Sequence, residues 1–223
     1  MNTIIFDIDG TLVQSKDFDT ELYIRAVTEL LGNVQIHNDW ALYTHVTDSG
    51  ILSQILEENK IVIDEALVGT IKSRFGELIE SHLRYNPCLP VDGAIQVLDE
   101  IRSLPDWRLG LATGGWRHTA SAKLRSAGFD LDDIVMCTSD EHHARTEIMK
   151  LCLKQIGGKE DKVVYVGDGQ WDLNASRELG WGFVAIGPEL QSDHGIWISN
   201  FLDPAWKASL NKALVAPRKL FNP

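Results

Sequence analysis

An α/β fold, a doubly wound parallel sheet carrying an inserted all-helical unit, is predicted by three features of the sequence. Thr3 to Ile8 is a short β-branched apolar run; residues 19–83 space their apolar side chains as helices do; and from Val91 onward helix and strand patterns alternate. The 223 residues suffice for one large domain, or for a core domain with a smaller insert.

The elements follow in order. Thr3 to Ile8 has the profile of a buried parallel strand and runs into Asp7-Ile8-Asp9-Gly10-Thr11. Leu22, Ala26, Val27 and Leu30 then make one helical stripe, and Ile51, Leu52, Ile55 and Leu56 a second. Ile63, Leu67, Ile71, Phe75, Leu78 and Ile79 make a third, and Asp48-Ser49 offers capping oxygens ahead of the second. Asn86-Pro87 and Leu89-Pro90 break the pattern as a hinge would. Helices are expected at Val91 to Ser103, Arg117 to Ala127, Thr146 to Ile156 and Leu173 to Leu179. Strands are expected at Arg108 to Ala112, Ile134 to Cys137, Lys162 to Val166 and Phe183 to Ile186. The result is a Rossmann-like core from residues 1–14 and 88–223, with residues 15–87 projecting as a helical insert after the first strand. Ligands of open α/β sheets bind beyond the carboxyl ends of the strands, the edge from which this insert leaves.

Composition narrows the function classes. Hydrophobic residues make up 44% and charged residues 24%, an ordinary globular balance. Thirty-two acidic against 21 basic residues give a formal net charge of -11, which disfavours nucleic acid and anionic membranes as partners. A small phosphorylated substrate stays compatible, because a local cation inverts the field at one site. Cys88, Cys137 and Cys152 are widely spaced and read as buried small hydrophobes in a reduced compartment. No basic leader or bilayer-length apolar run is found, so a cytoplasmic location is expected.

Four strand ends carry the chemistry. Asp7 and Asp9 repel one another unless a cation lies between them, and Gly10 permits a sharp turn; two solvated turn aspartates are the plainer reading. Thr113-Gly114-Gly115 offers a hydroxyl and unobstructed N–H groups at a helix start, a phosphate cradle or simply a glycine-rich turn. Gly167-Asp168-Gly169-Gln170-Trp171-Asp172 places two carboxylates where both can hold a hard cation, although Asp172 also suits a helix N-terminus. After the strand Ile134 to Cys137 a cation is available from Arg145, Lys123, Lys150 or Lys154.

These motifs, in this order, resemble the haloacid dehalogenase superfamily of phosphohydrolases, and the position of the insert resembles that family's helical-cap members. The resemblance implies that Asp7 is the nucleophile and forms an aspartyl-phosphate. Asp9 is then the general acid/base, and Thr113 with Gly114 holds the phosphoryl oxygens. Mg²⁺ is implied at Asp7, Asp168 and the Asp9 carbonyl, with Asp172 supporting the site. Asp9 is absent from the family's dehalogenases, so its presence favours phosphoryl chemistry. The family's third motif commonly supplies a lysine; here Arg145 best matches that place, with Lys150 as the substitute.

The implied activity is Mg²⁺-dependent hydrolysis of a small phosphorylated metabolite, a phosphomonoester, by a monomer or homodimer. A phosphomutase or pyrophosphatase on the same core, or a catalytically silent binding protein, are the alternatives. Family caps select substrate with a loop facing the core, a position that Thr44 to Gly50 fits, so His45 and Asp48 are candidate substrate contacts; an interhelical turn capped by Asp48 is the other reading. His142 and His143 read as loop residues, and Trp116 and Trp171 as packing.

Overall fold

The computed structural model describes residues 1–190 and 195–215. The parts of the expected core at 191–194 and 216–223 lie outside the described residues. A six-stranded parallel sheet is built from β1 (Asn2–Phe6), β4 (Trp107–Ala112), β5 (Val135–Cys137), β6 (Val163–Gly167), β7 (Gly182–Ile186) and β8 (Trp197–Ile198). Its order is β5-β4-β1-β6-β7-β8, so β1 is central, with Ile5 opposite Gly110 on one side and Tyr165 on the other. The strand order reverses around β1, which makes the carboxyl end of β1 the crevice of the sheet.

Alternation along the strands fills two layers. Ile4, Phe6, Leu111, Val164 and Val166 pack on one face. That face is covered by helices α4 (Ala94–Ser103), α5 (Arg117–Ser126) and α8 (Trp206–Val215). Ile5, Ala112, Tyr165 and Phe183 pack on the other, against α6 (Arg145–Gln155) and α7 (Gln170–Leu179). All four predicted βα repeats are present, with ends shifted by one to three residues. The largest shifts are at α7, which opens at Gln170, and at α4, where Val91 to Gly93 form a turn with Gly93 at φ +81° so that the helix opens at Ala94.

The inserted segment forms α1 (Lys16–Leu31), α2 (Asp48–Glu58) and α3 (Glu65–Leu83). Leu22, Val27, Ile55, Leu56, Ile71, Phe75 and Ile79 give these helices a hydrophobic cluster of their own. The two connections to the core pair with each other: β2 (Val13–Gln14) and β3 (Leu89–Pro90) form an antiparallel ribbon. This ribbon, β8 and α8 have no counterpart in the sequence expectations. The strands are two residues long, too short for any period to register.

One core residue belongs to the insert's cluster. Trp116, directly after the Thr113-Gly114-Gly115 turn, is 1% exposed and packs against Tyr23 and Phe75 at centroid distances of 5.7 and 6.0 Å. Its indole N–H donates to Ser49 Oγ at 2.8 Å. Replacing Trp116 with Ala is therefore expected to lower the unfolding free energy by about 3–5 kcal/mol, as for other buried aromatics. Urea unfolding followed by circular dichroism measures it; a loss under about 1 kcal/mol would show that the insert does not depend on this side chain.

Candidate active site

β1 ends at Phe6, but the Asp7 N–H still donates to Val166 O of β6 at 2.9 Å, so Asp7 leaves the sheet in a fixed direction. The chain then turns tightly, with Gly10 N–H donating to Val13 O at 2.8 Å. Gly10 has φ +82°, and an added Cβ would stand 2.2 Å from Asp168 Oδ2. Both facts require glycine. The two aspartates are thus carried by a turn and not by a continuing strand, yet both line one cavity of ≈ 240 Å³ between the sheet edge and the insert. Thr113, Gly114, Gly115, Asp48 and Arg145 line the same cavity.

Arg145 reaches in from the first residue of α6. Its Nη1 lies 3.2 Å from Asp7 Oδ1 and 2.9 Å from Asp172 Oδ1, and its Nη2 donates to Val46 O at 3.1 Å. Its buried Nε has no acceptor among the described residues. Lys150, the substitute proposed for this cation, is instead exposed and pairs with Glu147 at 2.7 Å. The position is one helical turn too far along α6 to reach the strand ends. Lys154 is also exposed.

Lys123 occupies a place that the sequence reading did not foresee. It is 1% exposed and lies 2.5 Å from both Asp9 Oδ1 and Asp19 Oδ1. Burial works against its charge, but the two carboxylates outweigh that and hold its pKa above the usual lysine range. Ser15 Oγ also donates to Asp9, so the Asp9 carboxylate is gripped from two sides. Lys16 bridges Asp168 and Glu189, and its ammonium stands 5.9 Å from the Trp171 ring centroid. Lys123 falls on the buried stripe of α5 with Ala120, Leu124 and Ala127, and a lysine on an apolar stripe was the available signal. Asp19, one turn after Ser15 on α1, has no comparable signature.

The loop before α2 separates the two predicted contacts. Thr47, not Asp48, caps α2, accepting the Gly50 N–H at 3.0 Å. Asp48 is thereby free to accept the Trp116 N–H at 2.8 Å, while its own N–H donates to Gly114 O at 2.8 Å. An added Cβ on Gly114 would lie 2.5 Å from Arg145 Nη2 and 3.0 Å from Val46 O, so the loop approaches only because position 114 has no side chain. His45 is not among the residues lining the cavity. It faces an outer groove and meets the His143 ring edge-on at 4.8 Å, with His142 stacked behind. The turn between His45 and Asp48 leaves it facing away from the cavity that holds Asp7.

Carboxylate oxygens of Asp7, Asp168 and Asp172, all buried, lie within 4.8 Å of one another. An all-oxygen set of this kind suits a hard divalent cation. Burial pushes the Asp7 and Asp172 carboxyls above their usual range against the pull of Arg145; Asp168 is pushed up to about 7 by burial, with Lys16 opposing. Asp172 also accepts the Gly169 N–H at 3.0 Å, so it caps α7 and faces the site at once.

Residues 1–180 match the model of the haloacid dehalogenase-like hydrolases. The chain belongs to this hydrolase family. Among its relatives is a pyrophosphatase PpaX from Anoxybacillus flavithermus, 25% identical over 189 residues, which cover 81% of this chain and 80% of that one. Two solved structures share the fold. A CbbY from Rhodobacter sphaeroides in complex with phosphate gives a TM-score of 0.72 at 16% identity, covering 95% of this chain and 99% of that one. A β-phosphoglucomutase from Clostridium difficile gives 0.73 at 15% identity, covering 96% and 99%. No helix among the described residues is long and apolar enough to cross a membrane.

The Asp168 shift has a stability consequence. A carboxyl raised from 3.8 to about 7 holds a proton in the folded chain that the unfolded chain has released, so its contribution to stability is lost as pH rises through that window. A cation bound to the ionised group reverses the loss. Near pH 8, about 10 mM Mg²⁺ is expected to raise Tm by about 5 °C. The rise should shrink near pH 5 and vanish in Asp168→Asn. A differential scanning calorimeter reads this directly, and an equal rise in the variant would place the cation elsewhere.

Proposed function

We propose that this hydrolase is a Mg²⁺-dependent phosphatase of small organic phosphomonoesters, working through an aspartyl-phosphate on Asp7. The observation that carries the reading is the pairing of a buried Asp7 with Arg145 in a cavity that also holds Asp9 and Thr113. A carboxylate attacks phosphorus only where the repulsion between two anions is cancelled.

The chain's own groups divide the work. Arg145 orients Asp7, and its guanidinium lines the cavity in which a phosphoryl oxygen would sit. The Thr113 hydroxyl accepts the Gly115 N–H at 3.1 Å, so the turn that would hold the other phosphoryl oxygens is preformed. A carboxylate oxygen of Asp7 bonds to phosphorus as the ester P–O bond breaks, and Asp9, carrying a proton taken from the entering phosphomonoester, gives it to the departing alkoxide. Asp9 then takes a proton from water as that water bonds to phosphorus; the P–O bond to Asp7 breaks and phosphate leaves. Lys123 and Ser15 hold Asp9 in place for both transfers. Asp7, Asp168, the Asp9 carbonyl and the supporting Asp172 would hold Mg²⁺, which supplies charge neutralisation for the phosphoryl group.

The pyrophosphatase name among the relatives makes inorganic pyrophosphate a second substrate to assay, since water would attack through the same residues. A catalytically silent protein has no chemical need for the complete set of Asp7, Asp9, Thr113 and Asp168. Phosphate release from p-nitrophenyl phosphate is expected with Mg²⁺ and not with EDTA. Asp7→Asn is expected to lower kcat by about 10³-fold or more, and Arg145→Met by about 10²-fold. Wild-type inactivity across a broad panel of phosphate esters, or full activity of Asp7→Asn, would overturn the proposal.

A further inference from the structure

The charges around the cavity do not balance. Arg145 is shared by Asp7 and Asp172, Lys16 by Asp168 and Glu189, and Lys123 by Asp9 and Asp19. Each of these cations therefore already serves two carboxylates. Asp48 is left over: it accepts one N–H, from Trp116, and has no ion pair among the described residues. It stands on the Asp9 side of the cavity. An added Cβ on Gly115 would lie 3.5 Å from Asp9 Oδ2 and 3.8 Å from Asp48 Oδ2, so both carboxylates border one point beyond the nucleophile. Burial raises the Asp48 pKa and the Asp19 charge raises it further, against the opposing pull of Lys123 and the Trp116 N–H.

The rest of that half is aromatic. Tyr23 and Trp40 meet edge-on at 6.3 Å, and both line the cavity with Trp171. The Tyr23 hydroxyl is already spent on the Asp48 carbonyl at 2.7 Å and its ring is packed against Phe75 and Trp116, so the half-buried Trp40 is the ring beside it that remains for a ligand. Aromatic faces beside an unpaired carboxylate attract a cation and offer nothing to an anion. A second carboxylate or phosphate on the substrate would meet cations that are already committed.

Resting on the phosphatase reading above, we propose that the substrate's leaving group is positively charged: a phosphomonoester of a small amino alcohol, its ammonium bound by Asp48 with Trp40 lining the same half of the cavity. The cavity of ≈ 240 Å³ limits the alcohol to a few carbons. Asp48 is here a specificity residue, while Asp9, on the same side, remains the proton donor to the departing oxygen.

The test compares kcat/KM for ethanolamine phosphate and choline phosphate with that for neutral n-propyl phosphate and for anionic phosphoglycolate. The proposal expects at least one amino-alcohol ester to exceed n-propyl phosphate by tenfold or more, with phosphoglycolate lowest. Asp48→Asn should bring the ratio of amino-alcohol to propyl ester towards one, whatever its effect on overall rate. In the wild type, free ethanolamine or choline should inhibit p-nitrophenyl phosphate hydrolysis at concentrations where n-propanol does not, a measurement that needs no variant. Hydrolysis of p-nitrophenyl phosphate and phosphoglycolate, with no preference for the amino-alcohol esters, would overturn this inference and leave the phosphatase reading standing. Inactivity towards every ester would remove both.

Discussion

The interaction on which the rest of the structure depends is the grip of Arg145 on Asp7 and Asp172 at the carboxyl edge of the sheet. Asp7 leaves β1, Asp172 lies in the first turn of α7 after β6, and Arg145 opens α6 after β5, so one guanidinium ties together three separate crossings. None of these groups is stable there alone, because an unpaired buried charge costs several kcal/mol. The same reasoning extends outward. Lys123 joins Asp9 of the core to Asp19 of the insert, and Lys16 joins Asp168 to Glu189. Charge pairing at the site thus also anchors the insert against the core, and the chemistry and the assembly share the same residues.

Backbone approach is the second constraint. Gly10 lets the turn after β1 pass under Asp168, and Gly114 lets the loop before α2 come within hydrogen-bonding distance of the second motif. Trp116 then carries the contact into the insert's own apolar cluster. A glycine-rich turn that would hold phosphate is therefore continuous with the surface of the insert that, on the proposed reading, would meet the rest of the substrate. Selectivity built into the insert can reach the reacting atoms through a few bonds, without any distant relay.

Sequence alone disclosed the sheet, its helices and the four motifs because those features repeat with a period or punctuate strand ends. Ile4 to Phe6 and Val163 to Val166 are unbroken apolar runs, and Gly10 and Gly114 mark turns. The short ribbon β2–β3 left no periodic trace, being defined by pairing between positions far apart in the chain, Val13 with Pro90 and Gln14 with Leu89. Asp19 and Glu189 look like ordinary surface acids, and only the fold brings them to the cavity. Lys123 was weighed among the cations and is buried, but beside Asp9, since the face of α5 decides its partner. His45 and Asp48 are three residues apart, and the intervening turn directs only Asp48 inward.

The central claim is that Asp7 itself takes the phosphoryl group. Acid quenching during turnover of a labelled phosphomonoester, followed by peptide mapping, measures this most directly. The account predicts a base- and hydroxylamine-labile phosphate on the peptide containing Asp7, absent from the Asp7→Asn protein. Turnover with no label on that peptide, or label that persists in Asp7→Asn, would contradict it.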